Sequence, residues 1–235
     1  MRIALPMRRT AFFIAALAAA LLLFFPLRLG IGWFAFDSIG LSAREARGSI
    51  WGGRLAETRF AGAPIGDVDA RLNVLPLALG RARFDLRGEG GMRAGVLVTR
   101  HVVGAEDATA RVMLGQALSP LPLTALDLTD VSVRFREGVC ERAGGMVRAT
   151  LAADFGGVDL SGGLTGTARC EGGALLLPLA SQSGLERLRV ELRPDGAFRA
   201  SLRVQPADAA AGERLVAAGF APGVGGYALV IEGRL

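Results

Sequence analysis

Hydrophobic and polar residues alternate one for one over much of this chain. In DVDARLNVL, Val68, Ala70, Leu72 and Val74 interleave with Asp67, Asp69, Arg71 and Asn73. In RARFDLR, Ala82, Phe84 and Leu86 interleave with Arg81, Arg83, Asp85 and Arg87. Val131, Val133 and Phe135 continue the pattern in DVSVRFR, and it returns in LRVELR (188–193) and FRASLRVQ (198–205). A period of two sends successive side chains to opposite faces of a strand, one buried and one wet. Strands of this kind belong to antiparallel sheets.

Glycine and proline separate these runs: FAGAPIGD, RGEGG, ERAGG, DFGGVDLSGG, RPDGA and APGVGG read as turns and hairpin loops. RPDG (193–196) is the cleanest, with Pro194 presetting φ and Gly196 free to take a positive one. Helical signals are few. PADAAAGERLVAAGF (206–220) predicts one short helix, with Asp208 as N-cap and its end at Gly219. VLPLALGR (74–81) reads as a helical turn or a bend, and LSPLPL (118–123) as a proline-bearing connector and a second candidate boundary. The expected fold is mainly β: an elongated, curved antiparallel sheet or open sandwich with one or two short helices. Its core is thin, because only half of each strand faces inward.

A different pattern precedes the sheet. Residues 11–27, AFFIAALAAALLLFFPL, carry no charge, and with Thr10 they make 18 residues between Arg9 and Arg28. At about 1.5 Å per residue the run spans roughly 27 Å, enough for a bilayer core. Arg8 and Arg9 flank one end; Arg28, which can snorkel, and the interfacial Trp33 flank the other. The positive flank predicts a cytoplasmic N-terminus and the remaining chain across the inner membrane in the periplasm. A cleaved signal peptide would need small residues at its end, where Pro26, Leu27 and Arg28 stand. The expected organisation is a basic N-terminus (1–10), a signal anchor (11–27), a linker (28–45) and a β-rich domain (46–235).

Composition narrows the function classes. The formal charge of the 235-residue chain is +5, and all 27 basic residues are Arg. From Arg28 onward 24 Arg stand against 22 Asp and Glu, a net of +2, scattered rather than clustered. That distribution argues against nucleic-acid binding. Cys140 and Cys170 sit in similar turn-bordered contexts, EGVCERAGG and TARCEGG. An even count in an exported domain argues for a disulfide, worth about 3–4 kcal/mol by loop entropy. Two Cys and the distant lone His101 cannot build a zinc site, and His101 is expected on a strand. Asp67 and Asp69 share a strand face and read as solvated. No nucleophile motif, P-loop or metalloprotease motif occurs. The expectation is therefore no enzyme, no cofactor and no metal.

ARGSIWGGRLAETRF (46–60) places Trp51 among Gly48, Gly52 and Gly53. Ile50–Trp51 is expected to start the sheet near the bilayer. Gly52 and Gly53 would form a bulge or bend, and Leu55 would open the next strand. Trp51 would cap the apolar face, at a cost of roughly 3–5 kcal/mol on truncation to alanine if fully buried.

LSAREARGSIWGGRLAE (41–57), PLALGRARFDL (76–86), CERAGG, LTGTARCEGGALLLPLAS, LRPDGAFRASLRV and LVAAGFAPGVGGYALVIEGRL, in that order after one anchor, resemble protein N of the bacterial type II secretion system. The resemblance covers nearly the whole chain, except 92–118. It implies a single-pass inner-membrane accessory subunit of the machine that moves folded proteins across the outer membrane, with other inner-membrane and periplasmic secretion components as partners. It brings no catalytic residues, and its paired cysteines match Cys140 and Cys170. The punctuated strands also resemble AsmA-like envelope proteins. That resemblance implies an alternative, a curved apolar sheet that binds or passes lipid.

Overall fold

The computed structural model describes residues 41–234 except 61–62, 78–79, 115–118, 153, 156–157, 161 and 207, together with Phe12, Phe13, Ile14, Ala16 and Ala20. The expected anchor, including its flanks Arg8, Arg9, Arg28 and Trp33, otherwise lies outside the described residues. Its five described positions are helical and exposed. Among the described residues no helix is long and apolar enough to cross a membrane.

The chain forms β1 (Leu41–Ser42), β2 (Glu45–Ser49), β3 (Gly52–Phe60), β4 (Ala63–Leu72), a one-turn helix α1 (Val74–Leu77), β5 (Ala82–Gly88), β6 (Arg93–Val98), β7 (Val102–Met113), β8 (Leu123–Arg136) and β9 (Val139–Leu151). There follow β10 (Asp154–Phe155), β11 (Val158–Asp159), β12 (Leu164–Thr167), β13 (Arg169–Glu171), β14 (Ala174–Ala180), β15 (Glu186–Leu192), β16 (Ala197–Val204), helix α2 (Ala209–Ala217), β17 (Ala221–Gly223) and β18 (Gly226–Arg234). Sixteen described strands make one open antiparallel sheet, and β10–β11 form a separate hairpin. From β3 to β9 every strand pairs with the next in sequence, and β14, β15, β16 and β18 follow in order. Mainly β, open and antiparallel, the fold matches the expectation from alternation.

Register explains why that alternation works. Leu72, Phe84 and Val96 lie side by side across β4, β5 and β6, and Ala70, Leu86 and Ala94 form the next row. Val68, Phe84 and Leu86 are buried as a result. Farther on, Leu179, Leu188, Leu202 and Leu229 form one row across β14, β15, β16 and β18. Each fully buried Leu or Phe contributes about 1.5–3 kcal/mol relative to exposure. The apolar side chains divide into two clusters. One runs from Ile50 to Val96, and the other joins Ala63 and residues from Ala108 to Leu229. The sheet itself is continuous through 118–123, since β7 and β8 pair with each other on either side of it.

The alternation slips where bulges occur. β8 begins with Leu123 and Ala125 buried; past a register shift between them, Leu126 and Leu128 oppose the buried Ala149 and Val147, so there even positions face inward. Asp130 and Val131 then lie between the pairs Thr129–Met146 and Ser132–Gly144, against the single residue Gly145. After this bulge the inward positions are Val131, Val133 and Phe135, as the sequence pattern predicts. Similar slips occur at Glu57 in β3 and Asp107 in β7. Glu57, Asp107 and Asp130 all have φ near +50°. Each bulge turns the strand more sharply and adds curvature to the sheet.

Two expectations for local structure hold and one changes. Asp208 caps α2, its Oδ1 accepting from the Ala211 amide at 2.6 Å, and Gly219 takes φ +95° beyond the helix end. Leu215 of α2 is fully buried in the second cluster. Gly196 closes the RPDG turn with φ +80°, its amide donating to the Arg193 carbonyl at 3.0 Å. Val74, however, does not extend the β4 alternation. The strand ends at Leu72, and Val74 begins α1, exposed to solvent.

Candidate interaction surfaces

Cys140 lies at the start of β9 and Cys170 in β13, and they form a disulfide with Cα atoms 5.5 Å apart. The Cys140 amide also donates to the Gly173 carbonyl at 2.8 Å, so the bridge ties two neighbouring strand ends as expected. Glu171, beside Cys170, faces water on an ion ladder. Its carboxylate accepts from Arg189 at 2.8 Å and Arg169 at 2.9 Å, and Arg189 also reaches Glu191 at 2.8 Å. The Arg189 hydrogen bond, reinforced by Arg169, holds the Glu171 carboxyl below the ordinary glutamate range. Leu176 lies in register with Arg169 and Glu191 on this wet face and is nonetheless fully buried. Long arginine stems can cover apolar surface in this way.

The Trp51 motif is a hairpin. Gly48 pairs with Gly53 and Ser49 with Gly52, leaving Ile50–Trp51 as the two turn residues. Gly48 takes φ +92°, and a Cβ there would stand 2.8 Å from the Gly52 carbonyl oxygen. Two expectations are corrected: the sheet begins at Leu41 rather than Ile50, and Gly52 and Gly53 are paired strand residues rather than the bend. Leu55 lies within β3, in register with Ala46 and Val68. Ile50 is buried, and Trp51 is only partly buried against the first cluster. Since Leu41 pairs with Phe60, the chain enters the sheet at the end of β3 remote from this turn. The Leu72 amide donates to the Ile50 carbonyl at 3.0 Å, placing the turn beside α1. There Val74 and Leu75 are 61% and 85% exposed.

Among the described residues the titratable groups that pair do so along the strand faces, one run linking Asp85, Arg83, Glu106 and Arg134. Asp67 accepts from the Glu57 amide at 3.1 Å and pairs with Arg54 at 3.3 Å, as a solvated face requires. His101 lies in the turn between β6 and β7, not on a strand, with Nδ1 3.5 Å from Glu137. The turn is set by Thr99, whose hydroxyl accepts from the Val102 amide at 2.9 Å. Among the described residues no three His, Cys, Asp or Glu are grouped to hold a metal. A shallow groove of about 210 Å³ crosses the wet face of β15, β16 and β18, lined by Arg189, Arg199, Arg203 and Val230 among others. The inward face is closed by its own packing, with Val147, Ala149, Leu164 and Leu202 at 0% exposure.

Fold and surface together define a disulfide-tied, open antiparallel β-sheet protein that presents strand edges and apolar turns. The chain belongs to the protein N family of the type II secretion system, whose family model matches residues 39–230. It is similar to the type II secretion system protein N of Vibrio cholerae serotype O1, at 26% identity over 187 residues, covering 71% of this chain and 73% of that protein. No solved structure matches.

Proposed function

We propose that this chain is a non-enzymatic accessory subunit held in the bacterial inner membrane, whose β-sheet in the periplasm contacts other secretion components. The observation that carries the proposal is the family match over nearly the whole sheet. Supporting it, the described surface offers edges, exposed turns and ion ladders, the materials of protein–protein contact. The uncharged run 11–27 with its basic flank supports the membrane placement.

The test is cross-linking in intact cells followed by identification of neighbours, with alkaline carbonate extraction of the same membranes. The proposal expects secretion-system neighbours and a chain retained in the membrane pellet. Release by carbonate would overturn the anchor. Neighbours drawn from lipid-transport machinery, with lipid co-purifying near one per chain, would replace the contact role by lipid handling.

A further inference from the structure

We infer that Arg187, Arg203 and Ser201, on the wet face of β15 and β16, form a binding site for a phosphate-class oxyanion. Arg187 lies directly opposite Arg203 in the ladder, and Ser201 lies opposite Arg189 in the next outward row. Directly opposed residues have Cβ atoms about 4.5–5.5 Å apart, and like charges so placed repel. No acid in the row relieves them, since its other members are Ala180 on β14, Ala228 on β18 and Ala221 on β17. Among the described residues Arg203 has no ion-pair or hydrogen-bond partner. The Arg187 Nε donates to the Gly184 carbonyl at 3.2 Å and meets no carboxylate.

Among the described residues two arginines face each other at three other places in the sheet, and each time a carboxylate intervenes. Arg47 opposes Arg54, and they pair with Glu45 and Asp67. Arg87 opposes Arg93, which pairs with Asp130, and Arg142 opposes Arg134, which pairs with Glu106. Two outward rows from Arg187 the same strands alternate in sign, Glu191, Arg199 and Glu232 standing side by side. The carboxylates nearest to Arg187 and Arg203 are engaged elsewhere. Glu171 and Glu191 hold Arg189, and Glu186 accepts from the Ser183 hydroxyl at 3.1 Å. The Arg187–Arg203 row is thus the one such row left without its counter-charge.

The surface beside this row is concave. The groove of about 210 Å³ is lined by Arg203, Ser201 and Ala228, whose small side chains leave room between the arginine stems. Ser201 is only partly buried, and its hydroxyl has no hydrogen-bond partner among the described residues. Two guanidinium forks and a hydroxyl are therefore on offer within a side chain's reach of one point. A carboxylate accepts one bidentate fork, whereas a tetrahedral phosphate presents oxygens to two forks and a hydroxyl at once. Its charge would also remove the repulsion between the two arginines. The same group is carried by free phosphate and by the headgroup of an acidic lipid.

The test is thermal unfolding of the full-length chain in an uncharged detergent. Inorganic phosphate is added at fixed ionic strength, and in a second series the micelles are doped with phosphatidic acid. A saturable rise in the midpoint is expected, roughly 3–5 °C for each tenfold excess over half-saturation. A rise with inorganic phosphate identifies the free anion as ligand; a rise with phosphatidic acid alone identifies the headgroup. Arg187→Gln with Arg203→Gln should abolish the rise and leave the unliganded midpoint unchanged or higher, because the repulsion is gone. Arg203→Lys, which keeps the charge and loses the fork, should weaken half-saturation about tenfold. Arg142→Gln, in a comparable opposed pair, should keep the full rise. The inference is overturned if neither probe gives a saturable rise, or if acetate gives an equal one. It is also overturned if the rise survives the double substitution, is lost in Arg142→Gln, or if the double substitution lowers the unliganded midpoint.

Discussion

The backbone amide of Asp130 donates to the Thr109 hydroxyl, 3.2 Å away on the neighbouring strand. The same device recurs at the other two acidic bulge residues. The Glu57 amide donates to Asp67 Oδ1 at 3.1 Å, and the Asp107 amide to Ser132 Oγ at 2.9 Å. A bulge takes one residue out of the ladder and leaves its N–H without a backbone partner. Here a short polar side chain from the next strand supplies it each time. Removing that oxygen with a near-isostere, Thr109→Val, should cost about 0.5–1 kcal/mol, a hydrogen bond's net worth. Denaturant unfolding would read this as a lower midpoint at unchanged slope.

The residue opposite the Asp130 bulge tolerates nothing larger than hydrogen. Gly145 takes φ +100°, and a Cβ there would stand 2.5 Å from the Asp130 carbonyl oxygen and collide with the Val131 Cα. Gly145→Ala should therefore destabilise by about 3 kcal/mol or more, from backbone strain and overpacking together. Gly52→Ala is the control, since a Cβ there meets nothing within 4 Å. Thermal unfolding should separate the two by roughly 6–12 °C or more, or show Gly145→Ala failing to fold.

Cutting the Cys140–Cys170 bridge frees a 30-residue separation. Replacing both residues by alanine should cost about 3–4 kcal/mol by loop entropy. A reductant should lower the wild-type melting temperature to nearly that of the double variant and leave the variant unmoved.

Trp51 is only partly buried against the first cluster, so it should matter less than its size suggests. Truncation to alanine should cost about 1–2 kcal/mol, in proportion to the area it hides. Phe84, at 1% exposure, should cost about 3–5 kcal/mol. A larger loss at Trp51 than at Phe84, by equilibrium unfolding, would contradict this order.

Acid should weaken the ladder beside Cys170. The folded carboxyl of Glu171 titrates below its unfolded range, held there by Arg189 and Arg169. A lowered folded value means that its contribution is fully present above the unfolded pKa. It fades as pH falls from about 5 through the folded value. Glu171→Gln should flatten that part of the stability profile. The effect is small, because the group is solvent-exposed. Midpoints of urea unfolding between about pH 6 and pH 3 would show it.

Much of this was legible beforehand, and the misses have physical causes. The inward positions Leu72, Phe84, Leu188 and Leu202 follow from period two alone; which residues lie side by side does not, because register depends on the turns. Asp208 and Gly196 act through local chemistry, so their roles could be read without the fold. The Trp51 turn was misplaced because glycine is the usual turn signal. Here Gly48 supplies the positive φ while Ile50 and Trp51 make the bend. Val74 reads both as the last inward residue of the β4 alternation and as the start of a helical turn or bend over 74–81; the helical turn is what forms, and alternation alone carries no mark of where a strand ends. The bulges did leave a trace: inward parity slips at Glu57, Asp107 and Asp130, each time at an acidic residue.

The strand order has a consequence for how this chain comes into being. Nearly every strand lies beside the one made just before it. A chain emerging N-terminus first, from a ribosome or through a membrane pore, can add each new strand to an edge already complete. Loop closure is then short and inexpensive at each step.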